Sequence, residues 1–141
     1  MLIDAFDERY ILGFTQMDAT HRVFADIVNG LGTADRSTFP ALFTELLTHT
    51  EVHFAAELAL MHESSFPAIQ EHTAEHQRVL SEMRYFARKV SGGSVTLGRA
   101  YIRQQLPGWF DLHAITMDSA LAAHLQRIAK LRQGSRAELR E

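Results

Sequence analysis

Cysteine is absent from the 141 residues, and with it go disulfides, zinc–thiolate sites and cysteine-held iron–sulfur clusters. Any metal bound by this chain must therefore be held by nitrogen and oxygen. Proline occurs only three times, and Pro40, Pro67 and Pro107 each read as a helix start, stop or kink. Neither sign of charge dominates, with 14 Lys and Arg against 17 Asp and Glu for a net charge of −3. Without a basic stripe, nucleic acid and anionic membrane surfaces are not expected partners. No apolar run approaches the roughly 20 residues of a membrane span, so membrane insertion is not expected. The opening MLIDAFDERY is acidic and lacks the charged-then-apolar order of a signal segment. The expected location is cytoplasmic. Against these absences stand eight histidines, the one compositional excess that needs a reason.

The apolar periodicity is helical throughout. Met17, Phe24, Val28 and Leu31 form a heptad-like stripe in which His21 takes one inward place. Asp18 reads as its N-cap, and Gly30 and Gly32 as its end. A second helix starts at Ser37-Thr38 and stops before Pro67, with Leu42, Leu46, His53, Glu57 and Met61 inward. A third carries Ile69, His72, His76, Met83 and Val90 inward and ends at Gly92-Gly93. A fourth runs from near Thr96 to about Ile128, kinked between Arg103 and Pro107. These patterns predict an all-α antiparallel up-down-up-down four-helix bundle over residues 18–130. An ordered N-terminal arm (1–17) without a helix of its own precedes it, and a polar, frayed tail (131–141) follows. At this length one domain is expected, burying roughly two-thirds of the unfolded chain's surface.

Polar residues occupy inward positions on every helix. His53 with Glu57 and His72 with His76 are i,i+4 pairs, so each pair aims two donors at one point. His113 and Asp118 are five apart and would point about 140° away from each other on a regular helix. A π-bulge between them brings both inward. Five imidazoles (His21, His53, His72, His76, His113) and two carboxylates (Glu57, Asp118) then share the interior. Burying ionisable groups without partners costs several kcal/mol apiece, and metal cations supply the partner. A donor set of nitrogen and oxygen suits iron, manganese or zinc. Seven donors exceed one tetrahedral ion and fit two ions that share carboxylates. His49, His62 and His124 fall outside this set.

The segments MDATHRVF (17–24), HFAAELALM (53–61), the SFP break, HTAEH (72–76) and WFDLHAITMDSALAAHL (109–125) together resemble the single-domain bacterial hemerythrins, over roughly residues 6 to 125. The resemblance implies two irons with a bridging oxo or hydroxo group. His72, His76 and His113 would hold one iron and His21 and His53 the other, with Glu57 and Asp118 bridging. It further implies reversible dioxygen binding at an open position on the two-histidine iron, for carriage, storage or delivery. The alternatives are an oxygen or redox sensor that acts through a separate protein partner, and a di-iron enzyme acting on peroxide or nitric oxide. Trp109, Phe110 and Ala114 are assigned to the dioxygen pocket. The chain departs from the family's usual residues at Phe6 (commonly Trp), Thr20 (Gln), Phe110 (Leu) and Ala114 (Ile), and Pro107-Gly108 is also unusual.

Overall fold

The computed structural model describes residues 1–140, with side chains described through residue 136. Gly13 turns the chain into the first long helix with φ +85°, a conformation glycine adopts without strain. Helix α1 is a single turn (Phe6–Arg9), and α2 spans Thr15–Thr33. The arm therefore contains a short helical turn that its sequence pattern does not announce. Asp18 is not the N-cap. It lies within the first turn of α2, and its carboxylate accepts the N–H groups of Leu12 (2.7 Å) and Gly13 (3.1 Å), tying the arm to the helix. Gly30 and Gly32 do not end α2, which continues to Thr33.

Helix α3 (Phe39–Glu63) begins with Pro40 in its first turn. The side chain that organises this start is Asp35, whose Oδ1 accepts the N–H of Ser37 (3.0 Å) and of Thr38 (2.9 Å). A tight loop around Ser65 (φ +53°) and Pro67 leads to α4 (Ile69–Ser91), which Gly93 (φ +101°) closes in a left-handed cap. The fourth rod is α5 (Val95–Gln104), α6 (Leu106–His113), a π-helical turn (Ala114–Asp118) and α7 (Ser119–Arg140). Its break at Gln105 follows from Pro107, which has no N–H to give to the carbonyl of Arg103. The π-turn stands where the five-residue spacing of His113 and Asp118 requires it. Helix α7 continues through the stretch expected to fray. Glu141, the last residue of that stretch, lies outside the described residues.

Two apolar clusters fill the bundle, one at each end. One contains Phe24 and Leu31 of α2, Phe39 and Leu46 of α3, Met83 of α4, and Ile102 and Phe110 of the fourth rod. The other contains Met17 of α2, Met61 of α3, Phe66 of the loop before α4, and Leu121 and Leu125 of α7. Following each rod in chain order, α2 and α4 run from the second cluster to the first, and α3 and the fourth rod run back. That is an up-down-up-down four-helix bundle. The polar inward residues fall between the clusters on every rod. No helix among the described residues is long and apolar enough to cross a membrane.

Candidate metal centre

His21 on α2, His53 and Glu57 on α3, His72 and His76 on α4, His113 at the end of α6 and Asp118 at the end of the π-turn converge in this middle layer. None is more than 6% exposed. They form two groups of donors, His72–His76–His113–Asp118 and His21–His53–Glu57, the donor atoms of each group lying within 4.8 Å of one another. The carboxylates cross between the groups. Asp118 Oδ2 lies 3.0 Å from His21 Nε2, while its Oδ1 lies 3.1 Å from both His72 Nε2 and His113 Nε2. Glu57 Oε2 lies 3.1 Å from His53 Nε2 and 3.3 Å from His76 Nε2.

These separations are close, yet many of the atoms make no hydrogen bond. Both nitrogens of His21 and of His72, Nε2 of His53, both oxygens of Glu57 and Oδ1 of Asp118 are buried without a partner of proper geometry. Nε2 of His76 and Nε2 of His113 face each other at 3.1 Å. Buried polar groups are normally paired, so a cluster of orphans needs an occupant that accepts several lone pairs at once. A first-row divalent ion bonded at roughly 2.1 Å holds neighbouring octahedral donors about 3.0 Å apart, close to the spacing seen here. All donors are imidazole or carboxylate, and the residues present fit iron.

The protonation pattern points the same way. Burial, reinforced by neighbouring imidazoles, lowers the His53 pKa to about 3 and that of His76 to about 2, leaving their lone pairs free at neutral pH. Burial and the nearby Asp118 charge push Glu57 well above the usual carboxylate range. For Asp118, burial is outweighed by contacts with His113, His21 and His72, which hold it well below that range. For His21, burial opposes a proton, but Asp118 and Glu57 outweigh it and its pKa rises. The centre is electrostatically frustrated without a cation.

Aromatic rings fix the imidazoles. Phe54 stacks on His76 at 3.6 Å between centroids with 2° between planes, and Trp109 stacks on His113 at 4.7 Å and 19°. Phe110 meets His21 edge-on at 5.6 Å, and Phe66 meets His72 edge-on at 6.2 Å. Of the three residues assigned to a dioxygen pocket, Phe110 thus borders the two-histidine group. Ala114 is fully buried just after His113, and Trp109 lies against His113. Periodicity missed Phe54, because it follows His53 in sequence and reaches across to a ligand of another helix. It also missed Glu75, which accepts the Trp109 indole N–H at 2.9 Å. Its signal was its place one residue before His76 and three before Arg78.

The three remaining histidines stand apart. His49 donates from Nε2 to the Thr20 carbonyl (3.2 Å) and abuts His53 edge-on. His124 donates to the Ser64 carbonyl (2.8 Å), and His62 is exposed.

No protein-family model matches the chain. A curated protein of Ralstonia nicotianae, named bacteriohemerythrin, is 34% identical over 125 residues, covering 89% of this chain and 90% of that protein.

Proposed function

The chain belongs to the bacterial hemerythrin family, and on that premise we propose that it is a di-iron protein that binds dioxygen reversibly. The observation that carries this reading is that each buried carboxylate reaches both sets of imidazoles. In this assignment His72, His76 and His113 hold one ion, His21 and His53 the other, and Glu57 and Asp118 lie between them together with an oxo or hydroxo group. When bound, the pair of ferrous ions supplies the two electrons that dioxygen takes up and returns.

The residues of the chain set the terms of that exchange. Three imidazoles on one side and two on the other leave the His21–His53 side a donor short, so the small ligand enters there. Phe110 gives that side an apolar wall, which excludes water and favours a small neutral molecule. Phe110 stands edge-on to His21. Trp109, packed on His113, closes the far side of the layer. The donor set contains only two carboxylates. Neutral imidazole stabilises high-valent iron less than anionic oxygen does, which favours reversible binding over attack on a strong C–H bond.

The test is cycling. Ferrous protein prepared under argon should develop a visible charge-transfer band in air and lose it when argon returns, with two irons per chain. Irreversible oxidation on first exposure to air would refute reversible binding. One iron per chain would refute the dinuclear assignment.

A further inference from the structure

Resting on the di-iron reading, the geometry points to Trp109 as an electron port: the cleft beside it takes the reduced ring of a flavin and passes electrons through the indole to His113 and the irons. Trp109 is the chain's single tryptophan. One of its faces lies nearly parallel on the His113 imidazole at 4.7 Å. Its indole N–H is held at 2.9 Å by Glu75, itself pinned by two donors of Arg78 at 2.7 and 3.1 Å. The ring is thereby locked in contact with a metal-ligand candidate while remaining only partly buried.

Its outer edge lines a cleft of about 310 Å³ together with Arg78, Glu82, Tyr101, Gln105 and Leu106. That volume is near the lower bound for a small-molecule site and suits a fused aromatic ring better than a bulky substrate. Trp109 offers aromatic contact, and because the Arg78 guanidinium is already paired with Glu75 and Glu82, the cleft carries no excess positive charge and suits the neutral hydroquinone. A carrier whose irons have been oxidised is inert until two electrons return. Reduced flavin gives one electron to each ferric ion, releases its two protons to solvent and leaves as oxidised flavin. A ring seated in the cleft stays outside the ligand layer, with Trp109 between it and His113.

Two measurements test this. In the metal-free protein, oxidised FMN should quench the Trp109 emission saturably, and the exposed-site variant Gln105→Phe, which fills the cleft mouth, should abolish saturation. In the ferric protein under argon, reduction by reduced FMN followed by stopped flow should slow about tenfold in Gln105→Phe and in Trp109→Leu, equivalent to about 1.4 kcal/mol in barrier. Trp109→Phe should restore most of the rate, and dithionite should reduce all four proteins alike. Repeating the assay with a flavoprotein whose ring edge is exposed separates the sources: a Trp109-dependent rate with free FMN assigns free flavin, and one seen only with the flavoprotein assigns a protein-bound ring. Equal rates in wild type and both cleft variants with either donor overturn the inference, even if dioxygen cycling succeeds. Conversely, Trp109-dependent reduction in a protein that fails to cycle with dioxygen overturns only the functional proposal.

Discussion

Replacing Glu57 with leucine should stabilise the metal-free protein while destroying its metal site. Glu57 is 2% exposed, and neither carboxyl oxygen has a hydrogen-bond partner. An unsatisfied buried polar atom costs about 1–3 kcal/mol, and leucine removes both oxygens at similar side-chain volume. Allowing for imperfect shape and for the lost contacts to His53 and His76, a net gain of about 2 kcal/mol is expected, or roughly 7 °C in Tm for a domain of this size. The gain also depends on pH. The Glu57 pKa is raised by burial and by Asp118, so its contribution to stability is fully present below the unfolded value of 4.5. It is lost as pH rises through the folded value. The advantage of Glu57→Leu over wild type should therefore widen as pH climbs above 4.5.

Ferrous iron should reverse the order. A ligand that binds only the folded state at 100 times its Kd adds about 2.7 kcal/mol, and only the wild type retains both carboxylates that reach the two imidazole sets. Urea unfolding at pH 5 and pH 8, with chelator and with ferrous iron under argon, reads all four conditions. A metal-free Glu57→Leu protein less stable than wild type at pH 8 would refute the reasoning, because it would mean that Glu57 is satisfied without a cation.

Acid should weaken the metal-free protein. His53 and His76, lowered to about 3 and about 2, contribute stability that is present above their unfolded value of 6.5 and is lost as pH falls below it. His21, with a raised pKa, is protonated in both states below 6.5 and adds nothing there. Glu57, raised by burial and Asp118, holds in the folded state a proton that the unfolded chain has lost above 4.5, and so works in the opposite direction. The net uptake of about one proton on unfolding predicts a loss of about 1.4 kcal/mol per pH unit below 6.5, and a flat urea midpoint from pH 6.5 to 5 would contradict it. Phe110→Leu opens space beside His21 and should cost about 1 kcal/mol while accelerating azide binding to the ferric protein. An unchanged on-rate would show that this ring is not a wall of the entry path. His124→Ala removes the 2.8 Å bond to Ser64 and the ring beside Phe66, so a loss of about 2 kcal/mol in urea unfolding is expected. A loss under about 0.5 kcal/mol would show that the loop before α4 is held by other contacts.

The residues that converge in the middle layer were legible because helical period is a strong constraint. A polar residue in an apolar stripe has a known direction, and the five-residue gap from His113 to Asp118 could be closed only by a locally wider turn. Capping was less legible. Asp18 and Asp35 both sit near helix starts, but which backbone N–H each accepts depends on the path of the preceding loop, which periodicity does not encode. The arm's helical turn was missed for a similar reason: it is entered through Ala5 at φ +54°, a conformation no propensity assigns to alanine. The continuation of α7 was missed because its exposed polar face gives no burial signal. Cross-helix partners such as Phe54 on His76 and Glu75 on Trp109 are tertiary facts that a single stripe cannot carry.

The polar layer also explains why this bundle has one register. The apolar clusters on either side contain mostly interchangeable hydrocarbon, and sliding one helix by a turn, about 5.4 Å, would still bury leucine against phenylalanine. It would not keep Asp118 at 3.0–3.1 Å from His21, His72 and His113 at once, nor Glu57 between His53 and His76. A slipped arrangement would leave buried charges without partners, at several kcal/mol each. The groups that cost stability in the native metal-free state thus cost more in every shifted alternative. A cation bound among them rewards only the alignment in which all four rods present their donors at the same height, so the frustration that Glu57→Leu should relieve is also what sets the register of the helices.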